Sequence, residues 1–108
     1  MLIEAGADVN GKDEWGDTAL MATAGFDHVE AAKLLIRSGA DVNATKPDLT
    51  TALMIAAMNG YTIIVEALLK AGANVGIKNS DNATAMMLAS QGDHKDVVKL
   101  LKEAGAAE

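Results

Sequence analysis

Gly6-Ala7-Asp8-Val9-Asn10 recurs without change 33 positions later as Gly39-Ala40-Asp41-Val42-Asn43. Gly-Ala pairs follow at the same spacing at 72–73 and 105–106, so the period runs through most of the chain. A regular spacing of this length is typical of proteins that are built from repeated structural units. The sequence therefore predicts a linear array of such units.

Each period contains two apolar stretches of helical character. In the first period, small or apolar residues over 18–25 predict an inner helix that is packed on nearly every side. Over 29–38, apolar residues recur at helical spacing beside charged ones, which predicts an outer helix with one exposed face. Gly39 is placed to end the outer helix, and Asp27 to cap its start.

The units are separated by turn segments that should project sideways from the helices. In the second turn Leu49 occupies the position that Gly16 and Asn82 occupy in the other two. Glycine and asparagine tolerate a positive φ, whereas leucine does not. Either this turn changes type, or Leu49 is strained. The predicted turns are 13–16, 46–49 and 79–82.

The composition excludes several classes of protein. Half of the 108 residues are hydrophobic, yet only one Trp, one Tyr and one Phe are present, so aliphatic side chains and methionine must fill the interior. The absence of cysteine rules out disulfides and thiolate metal sites but leaves the compartment open, with the cytoplasm favoured. No apolar run approaches the roughly 18 residues of a membrane span.

The formal charge of −6 is unevenly distributed, because residues 13–45 carry −4 and residues 46–78 carry +1. Nucleic acids attract basic surfaces, so an acidic chain without clusters of Lys and Arg is a poor candidate for binding them. A charged partner is expected to be basic and to meet the first full unit.

Several motifs in one register resemble the ankyrin-repeat family. The resemblance covers nearly the whole chain as one domain, 1–108, with a partial repeat at 1–12 and repeats at 13–45, 46–78 and 79–108. It implies an all-α ankyrin-repeat solenoid of stacked helix-turn-helix units with β-turn fingers, and a role in binding other proteins. The motifs are Gly-Ala-Asp-Val-Asn at 6–10 and 39–43, Asp13-x-x-Gly16-x-Thr18, and His28-x-Glu30-x-x-Lys33-Leu34-Leu35.

The chain departs from the family's usual Thr-Pro-Leu-His helix start. Alanine replaces the proline, and Met21, Met54 and Met87 replace the histidine. Alanine is a good helix former and methionine fills irregular gaps, so the helices should be preserved. A methionine column could bind a soft metal, but adjacent repeats are about 8–10 Å apart, which is too far to share an ion. Packing is therefore favoured, and neither a metal nor another cofactor is expected.

Catalytic chemistry is not predicted. His28 and His94 are equivalent positions two repeats apart, roughly 16–20 Å, so no single metal joins them. A histidine bonded to neighbouring backbone at a helix start is favoured over an acid-base role. The sequence has no nucleophile-base-orienter set, phosphate loop or metal-ligand spacing, and an enzyme is therefore not expected.

The fingers and the exposed ends of the inner helices are the positions that the resemblance leaves free for binding. The only Trp and the only Phe fall at such positions in one repeat, beside acidic residues, as in a binding hot spot. The alternative is that Trp15 folds over the neighbouring finger and Phe26 covers a gap. The predicted partner-binding residues are Glu14, Trp15, Asp17, Phe26, Asp48, Thr50, Met58, Asn59, Asp81 and Gln91.

The two ends of the array differ in polarity. Lys102 replaces the apolar residues of the earlier outer helices, as a terminal cap requires. At the N-terminal end an apolar face is expected to be uncovered. The first repeat should therefore fray or self-associate. The chain would then be a piece of a longer array or a short form that dimerises. The residues next to this face are Leu20, Leu34 and Leu35.

The sequence predicts a protein-protein interaction module whose partner is a basic or partly apolar protein segment, with no nucleic-acid or membrane partner. The alternative is a regulatory or inhibitory segment of a larger ankyrin-containing protein, which upstream coding sequence would reveal. A small enzyme or metal protein is disfavoured because no polar cluster converges, and a metal analysis and a cavity search would test it.

Overall fold

The computed structural model describes residues 9–106. Within this range the chain forms six α-helices and no extended strand, and one isolated β-bridge joins Thr45 to Thr51. Successive helices pair as three helical hairpins, α1–α2, α3–α4 and α5–α6. The helices are α1 (Ala19–Gly25), α2 (Val29–Arg37), α3 (Ala52–Asn59), α4 (Thr62–Lys70), α5 (Ala85–Gln91) and α6 (Lys95–Glu103).

The hairpins stack in chain order to form two layers of helices. The inner helices α1, α3 and α5 pack against one another, and the outer helices α2, α4 and α6 form the second layer. Helix α3 lies in the middle, and five of its eight residues are buried. Helices this short are marginal alone, so stacking of apolar faces stabilises them. The predicted all-α array of helix-turn-helix units is confirmed.

Each inner helix begins with a threonine cap. Its hydroxyl accepts a hydrogen bond at 3.2–3.3 Å from the backbone N–H of the methionine three residues later. Met21 and Met54 are 2% and 1% exposed, so the expected packing role is confirmed for both, whereas Met87 in the last hairpin is 44% exposed. Methionine at this position therefore preserves the helix start. The capping residues are Thr18, Thr51 and Thr84.

The recurring Gly-Ala pairs end the outer helices. Gly39 has a φ of 96°, and the N–H groups of Gly39 and Ala40 donate to the carbonyl oxygens of Ile36 and Leu35 at 3.1 and 3.0 Å. This pair of hydrogen bonds is the Schellman motif, which needs a left-handed residue after the helix. The same bonds occur at Gly72 and at Gly105.

The prediction that Asp27 caps the start of α2 is wrong. Asp27 has a φ of 56° and follows the C-terminal end of α1, where Gly60 stands in the second hairpin. The N-cap of α2 is His28, without a side-chain hydrogen bond. A left-handed residue reverses the chain between the two helices, so the carboxylate is not placed over the first turn of α2.

Asparagine side chains join successive units on the loop side. Asn10 accepts a hydrogen bond through Oδ1 from the N–H of Asp41 at 2.6 Å, and Asn43 accepts one from the N–H of Asn74 at 2.7 Å. Each bond connects backbone segments about one repeat apart. The asparagine of the repeated five-residue sequence thus sets the register of one unit on the next.

The expected uncovered face near the N-terminal end is smaller than the sequence suggests. Leu20 and Leu35 are each 1% exposed, so the expectation is wrong for these two residues. Leu34 is 46% exposed and faces away from the core. One leucine side chain therefore remains to support self-association there.

Candidate functional site

Three fingers project from the helical stack, at 13–17, 46–50 and 79–83. In the first finger, Asp13 accepts hydrogen bonds through Oδ1 from the N–H groups of Trp15 and Asp17, each at 2.9 Å. The N–H of Gly16 donates to the carbonyl oxygen of Asp13 at 3.0 Å and closes the turn. These bonds fix the backbone that carries Trp15 at the tip.

The two large aromatic side chains of the first hairpin are exposed. Trp15 is 67% and Phe26 is 73% exposed. Trp15 therefore does not fold over the neighbouring finger, and Phe26 does not fill a gap. The ring of Phe26 lies 6.1 Å from the ring of His28, centroid to centroid, at an interplanar angle of 34°. Both aromatics are presented to solvent.

An open groove of about 590 Å³ runs between the first finger and the inner helices. Asp17 and Phe26 line it from the finger and from the end of α1. Lys12 lines the groove as well, and its Nζ donates to the carbonyl oxygen of Thr45 at 2.7 Å. The apolar part of the lining includes Met21, Ala22 and Ile55.

Eight of the ten predicted partner-binding residues are exposed, and Asp17 and Thr50 are half-buried. Only Asp17 and Phe26 line the groove at the first hairpin. The groove residues Lys12 and Ile55 were missed. Sequence position gave no signal for either of them, because each comes from a different repeat than the aromatics. The predicted residues outside this groove are Glu14, Trp15, Asp48, Thr50, Met58, Asn59, Asp81 and Gln91.

The acidic charge of the first finger is partly compensated. Asp17 forms an ion pair with Lys46 of the second finger, with 3.3 Å between Oδ1 and Nζ. Both side chains are about one-third exposed, so the pair contributes roughly 0–1 kcal/mol. Glu14 is fully available by contrast, since no ion pair engages it among residues 9–106. The uncompensated negative charge of the first finger therefore comes more from Glu14 than from Asp17.

Asp48 stabilises its own turn. Its carboxylate accepts a hydrogen bond from the N–H of Thr50 at 3.0 Å, and its carbonyl oxygen accepts from the N–H and the hydroxyl of Ser80 at 2.8 and 3.0 Å. Hydrogen bonds from the Thr50 side chain and then from its backbone lower the pKa of Asp48 below its ordinary value of 3.8. This carboxylate replaces the one that Asp13 provides in the first finger, because Lys46 stands at the equivalent position.

Leu49 is strained. Its φ is 69°, compared with 83° for Gly16 and 63° for Asn82 at the equivalent positions of the other two fingers. The turn therefore keeps its geometry in all three fingers, and leucine takes a conformation that L-residues with large side chains avoid. Its side chain is 47% exposed.

The end of α3 is held by a histidine from the next hairpin. The side chain of Met58 is 48% exposed, whereas its carbonyl oxygen lies 2.9 Å from Nε2 of His94. The expectation of a histidine bonded to backbone is met by His94. His28 has a different environment, since it is exposed and its ring contacts Phe26.

Two features bear on other kinds of function. Within the described residues, no group of three or more His, Cys, Asp or Glu side chains is arranged to hold a metal ion. A search of the same residues finds no helix with the length and hydrophobicity needed to cross a membrane.

The geometry and the recurring sequence define a helical-repeat protein with a grooved face. The family described as Ankyrin repeats (3 copies) matches residues 1–79 and 38–108. These segments overlap and together extend along the chain, which therefore belongs to the ankyrin-repeat family. No curated protein matches the chain. Ankyrin repeats are generally protein-protein interaction modules, and the family is generally not enzymatic.

Proposed function

We propose that the chain binds a protein segment across the first finger and the adjoining groove, with Trp15 at the finger tip and Phe26 in the groove as the main anchors. The observation that carries this proposal is the exposure of both aromatics, at 67% and 73%, with Phe26 in the lining of a partly apolar groove and Trp15 on the finger whose Asp13 and Asp17 also line it. Aromatic side chains at such positions are enriched among binding hot spots. The rest of the surface offers no comparable pair among residues 9–106.

The chemistry of the groove selects a partly apolar segment with basic residues at its ends. An apolar side chain would enter between Phe26 and the lining residues Met21 and Ile55, and a Lys or Arg side chain would face Glu14 and Asp13. Because Lys46 already neutralises part of the charge of Asp17, Glu14 should contribute more to electrostatic steering. Asp48, Thr50 and Asp81 continue the surface along the next fingers.

The experiment is affinity capture from the source cell followed by binding measurements on the captured partner. Trp15→Ala and Phe26→Ala should each weaken binding by about 2 kcal/mol or more, as expected for hot spots. Met87→Ala is the matched control, because Met87 is 44% exposed and lies in the third hairpin, outside the groove. A partner that is bound equally well by the two aromatic variants and by the control would show that the groove is not the binding site.

Charge substitutions separate steering from anchoring. Glu14→Gln should slow association and reduce its salt dependence, while dissociation stays nearly constant. Asp17→Asn should have a smaller effect on association than Glu14→Gln, because Asp17 is half-buried and held in its ion pair with Lys46, whereas Glu14 is exposed and can approach the partner directly. Equal effects of the two variants would mean that the ion pair does not screen Asp17.

A further inference from the structure

A second groove lies on the opposite layer of the stack, between the outer helices α2 and α4, with a volume of about 340 Å³. This surface is called the outer-helix groove below. None of its lining residues belongs to the groove at the first hairpin. Its principal lining residues are Lys33, Ile36, Arg37, Ile63, Glu66 and Lys70.

The outer-helix groove is basic although the chain is acidic. Three cations and one carboxylate line it, whereas the net charge of the chain is −6. No ion pair or hydrogen bond engages the side chains of Lys33, Arg37 or Lys70 among residues 9–106. The sequence shows no cluster of Lys and Arg because these three come from two helices in different repeats. Their charges are therefore free to attract an acidic group.

Ile63 gives the groove an apolar lining residue that the fold does not require. It is 54% exposed at a position where α2 has Glu30 and α6 has Asp96. A solvated carboxylate thus satisfies the helix at this position in two of three hairpins. An exposed isoleucine stands here instead of an acid, in a groove that three cations also line. Apolar surface bordered by polar residues marks interaction sites. The half-buried Ile36 extends the apolar surface onto α2.

We propose that the outer-helix groove docks an acidic amphipathic helix of another protein. Two neighbouring helices leave a groove into which apolar side chains at i, i+3 and i+4 of a third helix can pack. Helices α2 and α4 have nine residues each, about 14 Å, which matches two to three turns of a partner helix. The apolar side chains of that helix cover Ile63 and Ile36, and its flanking Asp and Glu side chains pair with Lys33, Arg37 and Lys70.

The test uses a labelled synthetic helical peptide of about 14 residues, with Leu at i, i+3, i+4 and i+7 and Glu on both flanks. Fluorescence anisotropy with the full chain measures its binding. Ile63→Glu should weaken binding by about tenfold or more, and Lys33→Glu should do the same. Ile63→Glu is expected to keep the helical circular-dichroism spectrum, because the equivalent residues of the other hairpins are acids.

Two control variants make the result specific. Lys99→Glu makes the same charge change at the position of α6 that is equivalent to Lys33, outside the groove, and should leave binding within about twofold of the unmodified chain. Trp15→Ala should also leave peptide binding unchanged. A failure of the proposal for the outer-helix groove can therefore be distinguished from a failure of the proposed function at the first hairpin.

Several results would overturn the proposal. The proposal is wrong if the peptide does not bind at about millimolar concentration. Equal losses of binding in Lys33→Glu and Lys99→Glu would also contradict it, because they would indicate diffuse electrostatic attraction. Vesicles of anionic lipid are tested in parallel. If they bind with the same dependence on Ile63 while the peptide does not, the surface meets a membrane rather than a protein helix, and the proposal is wrong.

Discussion

Nε2 of His94 donates a hydrogen bond to the carbonyl oxygen of Met58 at 2.9 Å. His94 is the N-cap of α6, and Met58 lies 36 residues earlier, in the preceding hairpin. The imidazole fits there because glycine stands on both sides. A β-carbon added to Gly60 would lie 2.5 Å from Nδ1 of the ring, and one added to Gly92 would lie 2.6 Å from Nε2. The second and third hairpins are thus joined by a ring that only glycines accommodate.

This contact makes an unusual prediction for Gly92→Ala. The backbone φ of Gly92 is −84°, which alanine adopts freely, so the substitution would ordinarily stabilise the protein by about 0.4–1 kcal/mol. Here we expect a loss of about 1–3 kcal/mol from overpacking against His94. Urea unfolding at constant pH measures the change.

The control is the same substitution in a His94→Ala background. Without the ring, Gly92→Ala should be neutral or stabilising, while His94→Ala alone costs about 1 kcal/mol for its hydrogen bond. If Gly92→Ala stabilises the unmodified chain, the His94 ring does not lie between Gly60 and Gly92.

The strained turn predicts that replacing Leu49 does not harm the protein. A left-handed conformation costs a residue with a β-carbon about 1–2 kcal/mol, whereas glycine adds about 0.5–1 kcal/mol of unfolded-state entropy. Leu49→Gly should therefore leave the melting temperature unchanged or raise it. Leu34→Gly is the matched control, since Leu34 is 46% exposed but helical, and it should lose about 1 kcal/mol. A clear loss in Leu49→Gly would mean that the leucine side chain packs productively.

Stability measurements separate packing from binding for the two aromatics. Both side chains are mostly exposed, so Trp15→Ala and Phe26→Ala should each change the free energy of unfolding by less than about 0.5 kcal/mol. Hydrogen exchange of α1 should remain as slow as in the unmodified chain. If either variant unfolds the first hairpin, the aromatic is a packing residue, and the proposed groove loses its anchor.

The lowered pKa of Asp48 gives a pH dependence with a definite sign. A carboxyl whose pKa is lower in the folded state contributes stability above its ordinary value of 3.8 and loses that contribution as pH falls through the lower, folded value. The difference in urea midpoint between the unmodified chain and Asp48→Asn should therefore shrink on acidification below that value. Thr50→Val, which removes the hydroxyl donor, should reduce the pH dependence, and an unchanged profile would contradict the assigned cause.

Self-association at the N-terminal end should be weak, because Leu34 is the exposed leucine among the three expected there. Light scattering at rising concentration should show a dimer that Leu34→Glu abolishes. Met87→Glu makes the same change at a residue of similar exposure in the last hairpin and should have no effect. A strict monomer at all concentrations would mean that Leu34 has no partner in a second copy.

Features that depend on local sequence were predictable. The helix ends at the Gly-Ala pairs depend on residues close together in the chain, so the bounds predicted for the first helix pair, 18–25 and 29–38, lie within about one residue of α1 and α2. Asp27 was misplaced because an aspartate suits both a helix start and a left-handed turn. The sequence could not decide between these two positions.

Contacts between repeats were not predictable in the same way. The ion pair of Asp17 with Lys46 and the bond from His94 to Met58 depend on how one hairpin is rotated and translated on the next. The outer-helix groove was missed for the same reason, since its cations are dispersed in sequence. Exposure of Trp15 and Phe26 was one of two readings of the sequence, and side-chain direction decided it.

The asparagine bonds between units also determine how the array transmits force. Asn10 and Asn43 each tie one loop to the next, but the equivalent position one period later is Gly76, which has no side chain to continue the series. Tension applied at the two ends would therefore be carried by the asparagine hydrogen bonds as far as Asn74. Beyond it, the bonds of Ser80 to Asp48 and of His94 to Met58 would carry the tension. We expect the third hairpin to yield separately from the first two, so that the array can lengthen while the surface around Trp15 keeps its shape.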